Sequence, residues 1–306
     1  MEKMAEQDKR SQEAEIDDVS KQKEFLDFGD VTYTEKNRAV VKVQDGCNMF
    51  CSYCIIPYAR GRIRSRKIES VVSEIEKIAK EGIKEVVITG IHVASYGKDF
   101  DNENTSKKIR LIDLLEAINK IDGIDRIRLS SLEPTIVDEE FATRLSKLDK
   151  ICDHFHLSLQ SGCDETLKRM NRKYTTQIYR DAVATLRKYY PEASFTTDVI
   201  VGFPGETDEE FAKTYEFLKE IDFYRLHVFK YSPRRGTVAE KMPNQIDGNK
   251  KEERSNKLIE LSNSTENKHN KNYIGKTVKV LFEEFENGFF KGCLLYTSPS
   301  PRDISG

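Results

Sequence analysis

Two rhythms alternate along the chain. From Arg38 onward, short apolar runs with strand character are followed by stretches whose apolar positions recur at helical spacing. Ala39 to Val43 predicts a short buried strand. Ser70 to Ile83 carries Val71, Val72, Ile75, Ile78 and Ala79 at helical spacing, with Gly82 as a stop. The unit then repeats. Strands are predicted at 85–90, 126–131, 154–160, 195–202 and 225–231, and helices at 111–121, 138–148, 177–189 and 208–221. Lys98 to Lys108 reads as a polar loop, and Phe203 to Gly205 as a turn into a helix capped by Thr207. Six strands separated mostly by helices mean parallel strands with right-handed crossovers. A partial or full barrel, its loops gathered at the strand C-terminal ends, fits that count. On pattern alone a doubly wound open sheet is the alternative.

The flanks differ. Residues 1–36 are polar with little periodicity and read as a tail or linker. Residues 247–272 are strongly charged around a thin stripe of Leu258, Ile259 and Leu261, which predicts a surface helix. Lys276 to Phe285 alternates in the strand manner, so a small β element is expected there. The stretch from Leu294 to Gly306 does not continue it and reads as foreign sequence joined at a truncation.

Composition narrows the class. Hydrophobic residues make up 38% and charged residues 33% of the 306 positions, as in soluble globular proteins. No apolar run is long enough to span a bilayer, and the N-terminus lacks a signal-type apolar core, so a cytoplasmic location is expected. The net charge of −2 carries no argument about nucleic acid, although a local patch could still bind it. The six cysteines do not suggest a disulfide scaffold. Three of them, Cys47, Cys51 and Cys54, share one loop directly after the first strand, which favours metal.

Their spacing is C-x3-C-x2-C. Three thiolates on one short loop can hold three irons of a cubane and leave the fourth iron open for another ligand. A structural zinc would need a fourth ligand nearby, yet the next cysteine or histidine is His92.

The stretch DGCNMFCSYCIIPYARGRIRSR (45–66) resembles the signature of the radical S-adenosylmethionine (SAM) methylthiotransferases. Further matches follow in order: TGIHVASYG (89–97), RLSSLEP (128–134), HLSLQSGCDETLKRMNR (156–172), TDVIVGFPGETDEEF (197–211) and HVFKYSPRRGT (227–237). The resemblance covers about residues 38–285. DGCN, TGIH and SSLEP look most like the branch acting on threonylcarbamoyladenosine beside the tRNA anticodon. Branches acting on isopentenyladenosine tRNA or a ribosomal protein, and a non-catalytic iron–sulfur tRNA-binding module, are the alternatives.

The resemblance implies an α/β fold, a partial (β/α)6 TIM-like radical SAM barrel, followed by the start of a small TRAM-like β-domain. The division would be a tail at 1–36, the radical SAM core at 37–240, a charged helical connector at 241–272, a truncated TRAM-like domain at 273–292 and a non-native tail at 293–306. It implies a [4Fe-4S] cluster on Cys47, Cys51 and Cys54 whose open iron takes SAM. It also implies SAM contacts from Tyr53, Thr89, Gly90, Gln160, Arg172, Val201 and Gly202; ordinary strand-end packing is the plain alternative for the strand-end positions, and exposed placement for Arg172. The family's second, auxiliary cluster finds no ligands, since residues 1–46 contain no cysteine. The expected partners are tRNA and an electron donor such as flavodoxin or ferredoxin, with a monomeric chain and no membrane.

Other residues carry weaker signals. Arg60, Arg62, Arg64 and Arg66 could grip an RNA backbone, or simply form a solvated run. Cys152, His154 and His156 alternate as metal-type residues, but strand packing is the expected reading. Cys163 and Cys293 are expected to be structural or incidental. Glu133 could face the site or merely start a helix.

Overall fold

The computed structural model describes residues 22, 24–26, 38–100, 108–286 and 288–294. Most of the tail at 1–36, most of the 98–108 loop and the segment from 295 onward lie outside them.

Strand β1 (Arg38–Asp45) leads through the cysteine loop to the short helix α1 (Ile56–Arg60) and a two-residue strand β2 (Arg64–Ser65). Helix α2 (Ile68–Lys80), β3 (Glu85–Gly90), α3 (Leu111–Asn119), β4 (Arg126–Leu129), α4 (Glu139–Leu145) and β5 (His154–His156) follow. Then come α5 (Asp164–Arg169), α6 (Thr176–Tyr189), β6 (Ser194–Val201), α7 (Asp208–Ile221) and β7 (Arg225–Lys230). The order β1-β3-β4 is parallel, as is β5-β6-β7. Parallel bridges Ile127–Ile151 and Leu132–Leu157 join the two halves. Six parallel strands in chain order, with helices between them, make a partial barrel rather than the reordered sheet of a doubly wound fold.

Strand alternation divides the sheet. Ala39, Val41, Val86, Ile88, Ile127, Phe155, Phe195 and Val199 are buried in one core with the helices. The helices contribute Ile75, Leu115, Phe141, Tyr179 and Leu218. Residues of opposite parity face away from the helices. Many of them are polar, among them Gln44, Thr89, Ser130, His156, Thr196, Asp198 and His227, beside the apolar Val87 and Ile200. At the strand N-terminal ends Glu85 has no exposed surface and pairs with Arg38 at 2.9 Å and Arg128 at 2.8 Å.

Helix α7 starts as its sequence predicts. The Thr207 hydroxyl accepts from the Glu210 N–H, and Glu210 reciprocates at the Thr207 N–H. Helix α8 (Gly248–Lys271) packs along β7, and the hairpin β8 (Val280–Glu286) and β9 (Phe289–Leu294) ends the described chain. Several expected bounds shift: the strand at 126–131 ends at Leu129, and the helices at 111–121 and 138–148 end at Asn119 and Leu145. The strand expected over 154–160 is regular only to His156, because Gln160 sits in the left-handed region at φ +71° and bridges Val199 in isolation. Helices α1 and α5 went unpredicted because five and six residues are too short to display a period.

Candidate metal centre

The cysteine loop is anchored at both ends. Gly46 has φ +70°, and a Cβ there would lie 1.8 Å from the Arg62 carbonyl oxygen, so glycine alone lets the returning chain cross. The Cys47 N–H donates to the Gly61 carbonyl at 3.1 Å. The other side is held by the segment after α5. The Ser52 N–H donates to the Met170 carbonyl at 3.0 Å and its hydroxyl to the Arg169 carbonyl at 2.8 Å. Asn171 Nδ2 donates to the Phe50 carbonyl at 2.8 Å. Arg172 Nη1 donates to Cys51 Sγ at 3.3 Å. The four residues 169–172 therefore clamp the loop. Their sequence signal was the contiguous Arg-Met-Asn-Arg stretch, of which only Arg172 was singled out.

Behind Arg172 stands a buried chain of contacts. Arg172 Nη2 meets Glu133 Oε1 at 3.0 Å, and Glu133 Oε2 meets His92 Nε2 at 3.1 Å. His92 Nδ1 lies 2.6 Å from Ser95 Oγ, and the His92 N–H donates to Gln44 Oε1 at 2.7 Å. Burial pulls the Glu133 carboxyl up, but the His92 hydrogen bond and the Arg172 charge outweigh it and hold it below its usual value. Glu133 thus faces the site rather than merely opening a helix.

Cys47, Cys51 and Cys54 are all free thiols. Burial pushes Cys47 up to about 11, and the neighbouring Cys51 and Cys54 push the same way. Burial also raises Cys54, against the pull of Arg234 and Arg172. Three thiols this close ionise together only when cations share the site. Among the described residues, no group of three or more His, Cys, Asp and Glu side chains is placed to hold one metal ion. A cubane asks for something different: each thiolate binds a separate iron, so the sulfurs surround a volume instead of converging on a point. Three thiols, no fourth ligand among the described residues and a guanidinium on one sulfur fit that group.

The remaining expected residues fall around the same mouth in different ways. Tyr53 packs in a small cluster with Phe203, at 6.4 Å between ring centroids, and with Met170 and Tyr231. Thr89 and Gly90 end β3, with Gly90 pressed against Gln44. Gln160 follows β5 and is buried. Val201 is fully buried and its carbonyl already accepts from the Tyr231 N–H at 2.9 Å. Gly202 has φ +69°, its N–H donates to Glu206 Oε2 at 2.7 Å, and a Cβ there would meet Lys251 Cγ at 2.3 Å.

The arginine run splits. Arg64 is buried beside Asp45 at 3.5 Å, and Arg66 is buried against Glu74 and Ser70. Only Arg60 and Arg62 of the four are exposed, so the structure takes Arg64 and Arg66 away from the expected RNA contact. The two histidines are strand residues, His154 Nε2 and His156 Nδ1 both meeting Thr196 Oγ1 at 3.1 and 3.0 Å, and Cys152 is buried just before that strand. Burial holds His154 well below its usual pKa. No helix among the described residues is long and apolar enough to cross a membrane.

Known proteins now give the arrangement a context. The chain is 41% identical over 269 residues to a threonylcarbamoyladenosine tRNA methylthiotransferase of Bacillus subtilis, covering 88% of this chain and 58% of that protein. It is likewise 41% identical over 273 residues to a tRNA-2-methylthio-N6-dimethylallyladenosine synthase of Thermoanaerobacter, covering 89% and 57%. The chain therefore spans a little over half the length of these relatives. The radical SAM methyltransferase TsrM from Kitasatospora setae superposes with a TM-score of 0.54 at 21% identity, over 66% of this chain and 38% of that one, which speaks for the fold alone. A sequence model of the radical SAM superfamily matches residues 41–218, more than half of the chain, and the protein belongs to that superfamily, whose cofactors are a [4Fe-4S] cluster and SAM.

Proposed function

We propose that the chain is the catalytic core of a tRNA methylthiotransferase acting at the adenine 2-position of N6-threonylcarbamoyladenosine beside the anticodon. The observation that carries this reading is the three-thiol loop at the mouth of a half barrel whose inner wall carries many polar residues.

In this reading Cys47, Cys51 and Cys54 would hold the cluster, whose open iron would be left to SAM. When bound, the reduced cluster and SAM supply one-electron chemistry able to break a strong C–H bond that acid–base groups cannot touch. The chain's own residues do the rest. The clamp at residues 169–172 fixes the loop, and Glu133 and His92 hold Arg172 on Cys51. Thr89, Gly90, Gln160 and Gly202 line the strand ends where a barrel builds its site.

The wall supports the finer substrate assignment. The His156 and His227 rings stand 5.6 Å apart, and His156 Nε2 lies 3.6 Å from Asp198 Oδ1. Among the described residues, the Ser130 hydroxyl and His156 Nε2 are buried atoms with no hydrogen-bond partner. A threonylcarbamoyl arm brings a carboxylate, a hydroxyl and urea N–H groups that could satisfy such a wall. A dimethylallyl arm would leave it desolvated and unmatched, which costs about 1–3 kcal/mol per polar group.

The test is SAM cleavage by the anaerobically reconstituted protein with dithionite, followed as 5′-deoxyadenosine. Anticodon stem-loop RNA carrying threonylcarbamoyladenosine should stimulate it more than RNA carrying dimethylallyladenosine. No 5′-deoxyadenosine above background would favour an RNA-binding module without catalysis, and stimulation by the dimethylallyl RNA alone would reassign the substrate.

A further inference from the structure

The cysteine loop has a solvent side as well as a metal side. Its outer rim carries Phe50, inside the loop, and Tyr58, on the short helix that follows. Tyr58 is 58% exposed, an unusual degree for a large aromatic side chain. The two rings meet edge to face, with centroids 5.7 Å apart and planes at 79°. The Arg62 guanidinium lies over the Phe50 ring at 4.9 Å. A nucleobase stacks on surfaces of this kind, an aromatic ring flanked by a planar cation.

The backbone at this rim is held in an unusual state. Phe50 has φ +49°, a left-handed conformation that a bulky residue rarely adopts. Such positions cost on the order of 1–3 kcal/mol and persist where the surroundings impose them, commonly at ligand sites. Here the surroundings are explicit: Asn171 Nδ2 binds the Phe50 carbonyl, and Asn48 Oδ1 accepts from the Ile63 N–H at 3.3 Å. The Phe50 ring is half-buried and meets Tyr58 and Arg62 at the rim.

Exposed arginines border the rim. Arg60 and Arg62 are exposed, while Arg64 and Arg66 of the same run are buried with carboxylates. The loop that packs on the far side, through the Ala239 N–H to Ser52 carbonyl bond of 2.8 Å, adds exposed Arg234 and Arg235. A cationic border around an exposed aromatic step suits a single-stranded polyanion with splayed bases.

We propose that Phe50, Tyr58 and Arg62 form a stacking step for an unpaired nucleobase next to the target nucleotide. The step holds the RNA loop open at the barrel mouth after the target has left its own stack. This rests on the reading of the substrate as RNA.

The test is binding of a fluorescently labelled anticodon stem-loop to the cluster-loaded protein, read by anisotropy. Tyr58→Ala should weaken binding about tenfold, as expected for a stacking contribution of about 1–3 kcal/mol. Tyr58→Phe, which keeps the ring, should stay within about twofold of the parent. Because Tyr58 is exposed, both variants should keep the parental thermal unfolding midpoint. A duplex of the stem without its loop should bind parent and Tyr58→Ala alike. If the parent binds the stem-loop and Tyr58→Ala binds equally well, the step is overturned while the RNA reading stands. If the parent itself binds no stem-loop, the RNA reading falls and the step with it.

Discussion

The two ends of the barrel place arginines against buried acids in opposite ways. At the strand N-terminal ends, Glu85 takes Arg38 at 2.9 Å, Arg128 at 2.8 Å and Arg126 at 3.7 Å, and Arg126 also donates to the Lys279 carbonyl at 3.2 Å. Those groups face one another and close the bottom of the fold. At the strand C-terminal ends, Arg172 meets Glu133 with one nitrogen and Cys51 Sγ with another. That pair is equally buried, but one contact is made to a sulfur that reads as a metal ligand. The difference teaches that burial of charge does not by itself mark a site. What marks it is a charged group whose partner has a further ligand to take.

The comparison breaks most completely at the thiols. Cys47→Ala, Cys51→Ala and Cys54→Ala should each abolish iron–sulfur absorbance after anaerobic reconstitution while leaving the circular dichroism unchanged, since backbone contacts from residues 169–172 hold the loop. At the other end, Glu85→Gln removes the carboxylate from among three guanidiniums. It should cost about 3–5 kcal/mol in denaturant unfolding, the usual penalty for breaking a buried pair. The folded variant should still take up iron as the parent does. Loss of the cluster in folded Glu85→Gln would merge the two ends into one system.

Two smaller effects sharpen the contrast. Burial keeps His154 neutral in the folded chain, whereas the unfolded chain protonates it near its ordinary value. The unfolded state then binds more protons, so stability should fall as pH drops below about 6.5, by at most about 1.4 kcal/mol per pH unit. Unfolding measured across that range in the parent and in His154→Gln should show a flatter profile in the variant. Arg172→Lys retains charge but loses the planar fork that reaches both Glu133 and Cys51. Hydrogen bonds to cluster sulfurs favour the reduced state, so the midpoint potential, read by a redox titration followed by electron paramagnetic resonance, should move to a more negative value. An unchanged potential would leave Arg172 a structural residue like those below.

Much of this was legible in the sequence because it is local. Strand β3 and helix α7 occupy the positions their periodicities predict, since each has one buried face and a clear start or stop. The three cysteines were legible because a single loop carries them. The buried chain behind the clamp was not, since His92, Glu133 and Arg172 come from three separate segments that only the barrel brings together. The arginine run misled for a related reason. Its alternate spacing looks uniform, but Asp45 takes Arg64 and Glu74 takes Arg66 in buried pairs, while Arg60 and Arg62 stay exposed.

A cluster bound by three thiolates with one iron left for SAM has a direct spectroscopic signature. The reconstituted protein, reduced with dithionite, is examined by electron paramagnetic resonance before and after SAM is added. The expected result is a cubane signal whose line shape changes with SAM and which is absent when all three loop cysteines are replaced by alanine. A signal indifferent to SAM, or one that survives the triple replacement, would contradict it.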